Sequence, residues 1–220
     1  MSYKITCKRG KNVTVEDRVL VLKMVKQCMT ELNKQKHEIG FDVQKSFWKP
    51  LHVDIKKKSQ KSYGSESRIS IDVSEYHKGG RWLNEYAAYR SDPVIGERTQ
   101  AATPESVLFG VVAHEIAHHV QYAYGPHTRM YKSTCKKSHG DAFQDIYRIL
   151  RSTLVNPQLD AEADRIDADT FEAIEITYKL DQKIYKDMRA AYKRGEIKHH
   201  EIDLMYRKTV ESSKAYRSIT

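Results

Sequence analysis

From Thr14 to about Asn33, apolar side chains recur at three- and four-residue steps: Val15, Val19, Leu22, Val25, Met29 and Leu32. That period predicts a helix with an apolar stripe. Thr14 and Asp17 stand where a capping box puts its two side chains, Asp replacing the usual Glu or Gln. The period then falls to two. Leu51, Val53 and Ile55 alternate with polar residues in "PLHVDIKKKS", and Ile69, Ile71 and Val73 do so in "SRISIDVSEY". These predict two short strands, paired antiparallel. Residues 76–102 are interrupted by Gly79-Gly80 and Asp92-Pro93 and predict mostly loop, with a short helix around Trp82–Tyr89.

Thr103-Pro104-Glu105 predicts a strong helix start: a capping hydroxyl, proline in the first turn, then an acid. Gly125-Pro126 stops that helix. A polar and aromatic loop runs to Ser138. A further helix is expected from Asp141 to about Leu154, with Phe143, Ile146, Ile149 and Leu150 inward and Asn156-Pro157 as its stop. Helical patterns over 158–193 and 199–214, parted at Gly195, predict a C-terminal helical hairpin packed on the core, with a projecting arm as the alternative. The expected fold is α+β and predominantly helical, with a small antiparallel sheet. Residues 1–155 form its main domain and 156–220 a charged helical extension.

Charge adds an asymmetry. Net charge is +9 overall, but residues 1–60 carry 14 basic against 6 acidic residues, and residues 156–180 carry 2 against 7. A basic surface of this kind is the electrostatic footprint of a polyanion partner, so nucleic acid is an expected partner. No apolar run approaches the ~20 residues of a membrane span. The amino-terminal stretch lacks an apolar signal core, and the three cysteines are widely spaced. Both lead to the expectation of a cytoplasmic, intracellular protein, with association with DNA as the further expectation from its basic surface.

The chemistry concentrates in "VLFGVVAHEIAHHVQYAYGPH", residues 107–127. His114 and His118 are four apart on a predicted helix, so they project from one face a turn apart and can share one ion. Glu115 is turned about 100° from His114, where a carboxylate can serve a water on the metal without binding the metal itself. His119 faces away and reads as packed or supporting, and His127 falls past the helix end. A catalytic zinc needs a third protein ligand. His139, in "KKSHGDAFQDIYRILR", is the better placed candidate, with Gly140 beside it to permit an unusual backbone. The acidic cluster Asp160, Glu162 and Asp164 is its rival.

"HEIAHHVQY" followed by "SHGDAFQDIYRILR" resembles the SprT-like (Spartan-type) zinc metallopeptidases, over roughly residues 10–155. The resemblance implies a minimal zincin-like fold. It implies His114, His118 and His139 as Zn²⁺ ligands and Glu115 as the catalytic acid/base. It also implies a protein substrate, with DNA-bound or DNA-crosslinked proteins as a class, and a strand before the motif helix, here "RISIDVS", walling the cleft. The cysteine-built zinc ribbon of many members cannot be formed from this chain. The expected function is zinc-dependent endopeptidase. Tyr122, Tyr124, Arg129 and Tyr131 are candidates to stabilise the oxyanion. The alternative is a basic DNA-binding protein with a structural or vestigial zinc site.

Overall fold

In the computed structural model, helix α1 (Val15–Lys34) begins with the expected capping box. The Thr14 amide donates to the Asp17 carboxylate at 2.9 Å, and the Asp17 amide donates to Thr14 Oγ1 at 3.1 Å. Its buried stripe matches the expected one at Val25, Met29 and Leu32 only. Asp17, Val21, Met24, Val25, Cys28, Met29 and Leu32 face inward, while Val15 and Val19 are 56% and 62% exposed. Asp17 can be buried because His77 Nε2 lies 2.9 Å from its carboxylate, beside the capping bonds. The polar residue thus occupies a core-facing position that hydropathy alone would refuse it.

The structure describes residues 4–40, 49–79, 92–96, 103–128 and 131–163, with isolated positions at 83, 89 and between 183 and 194. Two compact units divide the chain, Met1–Arg165 and Ile166–Thr220. The division falls ten residues beyond the expected boundary at 155/156. Most of the helix expected at Trp82–Tyr89 and most of the C-terminal hairpin lie outside the described residues, as does Arg129. No described helix is long and apolar enough to cross a membrane.

The sheet corrects the expected antiparallel pair. Strands β1 (Ile5–Arg9), β2 (Leu51–Lys56), β3 (Tyr63–Gly64) and β4 (Arg68–Asp72) are ordered β1-β2-β4-β3. Both β1–β2 and β2–β4 are parallel, with Val53 opposite Ile69 and Ile55 opposite Ile71. Only the β3–β4 pair is antiparallel. Parallel neighbours normally need a long crossover. Here the chain reverses twice within residues 57–67, with β3 as the return leg. Asp72 fastens the first reversal, its Oδ2 accepting from the Lys58 and Gln60 amides at 3.1 Å each. The Ser59 amide donates to Ser74 Oγ at 2.8 Å. The second reversal closes with Ser65 N donating to Arg68 O at 2.8 Å.

The sheet is followed by the short helix α2 (Ser74–His77) and by α3 (Pro104–Tyr124), the centre of the described fold. Helix α3 packs against α1, α2, β3, β4 and α4 (Asp141–Leu150). Its faces are buried nearly all round, Val112, Ile116 and Ala123 as fully as His119 and Gln121. That is the signature of a core helix rather than a half-exposed amphipathic one. Its start follows the expected pattern: Thr103 Oγ1 accepts from the Ser106 amide and Pro104 opens the first turn. After α4, Asn156-Pro157 does not end the helical run. A π-type segment, Arg151–Val155, carries it into α5 (Asn156–Ala163). A wider turn ahead of Pro157 reduces the clash and the lost hydrogen bond that proline would cause in a regular helix.

Candidate metal centre

His114 and His118, one turn apart on α3, and His139, just before α4, come together. One nitrogen from each lies within 4.8 Å of the other two. His139 Nε2 is 3.1 Å from His114 Nε2 and 2.9 Å from His118 Nε2. Three ring nitrogens at these separations fit one cation: tetrahedral ligands at ~2.0–2.1 Å from zinc stand about 3.3 Å apart. The cluster also has the protonation state a cation requires. Burial pushes His114 down to about 3, helped by His118, His139 and Arg151 around it. Burial pushes His118 down to about 4, with His139 adding to the effect. Burial lowers His139 too. All three rings are therefore neutral near pH 7, with lone pairs available.

Phe143 explains why the rings converge. Its ring centroid lies 4.8, 4.4 and 4.8 Å from those of His114, His118 and His139. It is fully buried in the first turn of α4 and forms a common apolar backing. Tyr147, one turn on, meets His114 edge-to-face at 5.3 Å. The third histidine arrives through strained backbone. His139 has φ +56°, in the left-handed region, whereas Gly140 has φ −80° and is the N-cap of α4. The unusual conformation expected at Gly140 thus falls on the histidine itself. Holding a non-glycine residue there costs on the order of 1–3 kcal/mol and needs support from its surroundings. Gln144 Nε2 supplies some by donating to His139 O at 3.1 Å.

Glu115 is 6% exposed, and burial pushes its carboxyl up to about 8, partly offset by the Lys56 charge. It is the only acid on α3 beyond the first turn. The rival acidic cluster goes elsewhere. Glu162 caps the start of α3: it accepts from the Thr103 amide at 3.0 Å, from Thr103 Oγ1 at 2.8 Å and from Ser106 Oγ. At 1.5 Å per residue that end is about 16 Å from His114. Asp160 is exposed and stands outside the histidine cluster, and Asp164 lies outside the described residues. Neither His119 nor His127 joins the cluster. The His119 ring is buried and its Nδ1 donates to Ser65 O at 3.1 Å, tying the β3–β4 turn to α3.

Sequence reasoning missed Gly64. A Cβ there would sit 2.3 Å from Glu115 O and 2.8 Å from His118 Cβ, so β3 lies directly on the motif helix. The strand expected to wall the site, β4, is one place further in. A two-residue strand carries too little alternation to be recognised by period. Of the oxyanion candidates, the Tyr131 hydroxyl donates to Asp145 at 2.8 Å, and Tyr124 Oη accepts from the Lys49 amide at 2.9 Å. Tyr122 stacks on His118 at 5.7 Å.

Comparison of the chain with family models, with curated proteins and with solved structures finds no match.

Proposed function

We propose that the protein is a zinc-dependent endopeptidase of SprT-like type. One observation carries the reading: three neutral imidazoles converge on one point of α3, and the residue beside the first of them is a buried carboxyl. A structural site would close the fourth position with another side chain. Among the described residues no fourth histidine, cysteine or carboxylate joins the three.

Zinc, when bound, supplies a Lewis acid that acidifies a water and polarises a carbonyl. The chain supplies the rest. Glu115 takes the proton from the attacking water and returns it to the leaving amine. Burial raises its metal-free affinity for protons, and a cation held by the three histidines would lower it again. The β3 edge at Tyr63–Gly64 shields one side of the site. Of the described oxyanion candidates, Tyr124 and Tyr131 have their hydroxyls engaged with Lys49 and Asp145, which leaves Tyr122, stacked on His118.

The excess of basic residues makes DNA-bound proteins the first substrate class to test. The experiment pairs zinc content with cleavage of a DNA-bound protein, with and without DNA. Wild type holds one zinc and cleaves; Glu115→Gln holds one zinc and does not. Equal cleavage by the Gln variant, or a zinc-loaded wild type that cleaves nothing, would refute the peptidase reading. In the second case the structural-zinc DNA-binding alternative takes its place.

A further inference from the structure

Gln121 is fully buried on α3, three residues past His118, in a site where an amide side chain must satisfy every polar atom. Its Nε2 lies 3.0 Å from Cys135 O and 2.8 Å from Lys137 O, both in the segment that leads to His139. Its Oε1 lies 3.3 Å from His118 Nδ1. These three contacts leave no freedom in the assignment. Two backbone carbonyls can only accept, so the NH₂ group must face them. The amide oxygen then faces the ring, and it too can only accept. His118 Nδ1 must therefore carry the proton, and its Nε2, 2.9 Å from His139 Nε2, is left bare.

We infer that Gln121 is a positioning residue joining the second and third ligands. One side chain fixes His118 in the Nδ1–H tautomer and holds the carbonyls of residues 135 and 137, which set where His139 enters. The inference rests on the metal-centre reading and extends it to how the ligands are presented. Three features beyond the contacts support it. His139 sits in strained backbone two residues after Lys137, so its position depends on what anchors that segment. The Gly140 amide donates to the same Lys137 carbonyl at 3.0 Å, making that oxygen a shared anchor for the turn. The apolar Phe143 backing contributes no hydrogen bond, and the His139 Nε2 contact at 2.9 Å accommodates either tautomer, so the acceptor-only oxygen of Gln121 makes the choice at His118.

The test uses the full chain and has two readouts besides catalysis. The first is the tautomer of His118 in the metal-free wild type at pH 7.5, read from ¹⁵N chemical shifts of the ring. An Nδ1-protonated ring is expected. An Nε2-protonated ring overturns the inference, whatever the variants do. The second is zinc affinity by chelator competition. Gln121→Met keeps the side-chain length and removes all three hydrogen bonds; it should weaken zinc binding about 10–100-fold, the usual cost of losing a ligand's orienting partner. Gln121→Glu keeps an acceptor for His118 but sets a carboxylate against two carbonyls, and should lose affinity through the third ligand while keeping the His118 tautomer. Glu162→Gln, which disturbs only the far end of α3, serves as the control and should leave zinc affinity unchanged. Wild-type affinity in folded Gln121→Met overturns the inference. If Gln121→Met does not fold, the Glu variant and the wild-type tautomer decide. A wild type that takes up no zinc yet shows the Nδ1–H tautomer defeats the metal-centre reading alone, so the two failures are distinguishable.

Discussion

Replacing Gly64 by alanine tests how closely the sheet edge is pressed onto the metal-site helix. The added Cβ would lie 2.3 Å from Glu115 O and 2.8 Å from His118 Cβ, against 3.4–4 Å for ordinary contact. The nearest obstacle is helix backbone, which cannot rotate away, so β3 or α3 must shift by roughly an ångström. β3 is held by two register pairs to β4, Tyr63 with Ser70 and Gly64 with Ile69, and the turn beyond it is tied to His119. Overpacking of this kind costs about 1–3 kcal/mol. At about 2–4 °C per kcal/mol for a protein of this size, the melting temperature should fall by roughly 2–12 °C. Gly110→Ala provides the comparison. A Cβ there meets Leu83 Cδ1 at 2.5 Å and Cδ2 at 2.8 Å, nearly as close, but these are the ends of a flexible side chain rather than helix backbone. Urea melts and zinc titrations of both variants form the assay. Gly64→Ala should be the less stable and should bind zinc more weakly, since the shift reaches His118. A Gly64→Ala protein as stable as wild type, or one that loses less than Gly110→Ala, would refute the close-packing argument.

Other outcomes follow from the same geometry. His139→Ala should lower zinc content well below one per chain by metal analysis, since two ligands do not hold a catalytic zinc; full occupancy would require another third ligand. Phe143→Ala should cost about 3–5 kcal/mol in denaturant unfolding and weaken zinc binding, because the lost ring backs all three histidines. Stability of the metal-free protein should fall as pH drops from 6.5 toward 4. The folded state holds His114, His118 and His119 at about 3, 4 and 4, so the unfolded chain takes up their protons first. Glu115, raised to about 8, acts in the opposite sense, contributing stability below 4.5 that is lost as pH rises through 8. Three rings outweigh one carboxyl, so urea midpoints at pH 5 should lie below those at pH 6.5; a flat or rising trend would contradict this.

The elements that period and capping chemistry announce strongly are the ones the sequence alone conveys: α1 with its Thr14–Asp17 box, α3 with Thr103-Pro104, and α4 after Gly140. The histidine triad was legible for the same reason, since a four-residue spacing on a helix brings two rings to one face. What escaped were features that depend on partners distant in the chain. The inward stripe of α1 includes Asp17 because His77, sixty residues away, gives its carboxylate a hydrogen-bond partner. β2 and β4 run parallel because a two-residue strand and the Asp72 carboxylate fold the intervening segment back twice. The strain beside the third ligand sits on His139 rather than Gly140, since a residue type shows what backbone is permitted and only the surroundings show what is imposed.

The Glu162 carboxylate on the first turn of α3 has a practical bearing on where the protein can be cut. Ending an expression fragment at residue 155, as the Asn156-Pro157 stop would suggest, deletes α5 and leaves the Thr103 amide and the Ser106 hydroxyl at the head of the histidine-bearing helix without their acceptor. A fragment that is to hold metal should extend at least through Ala163.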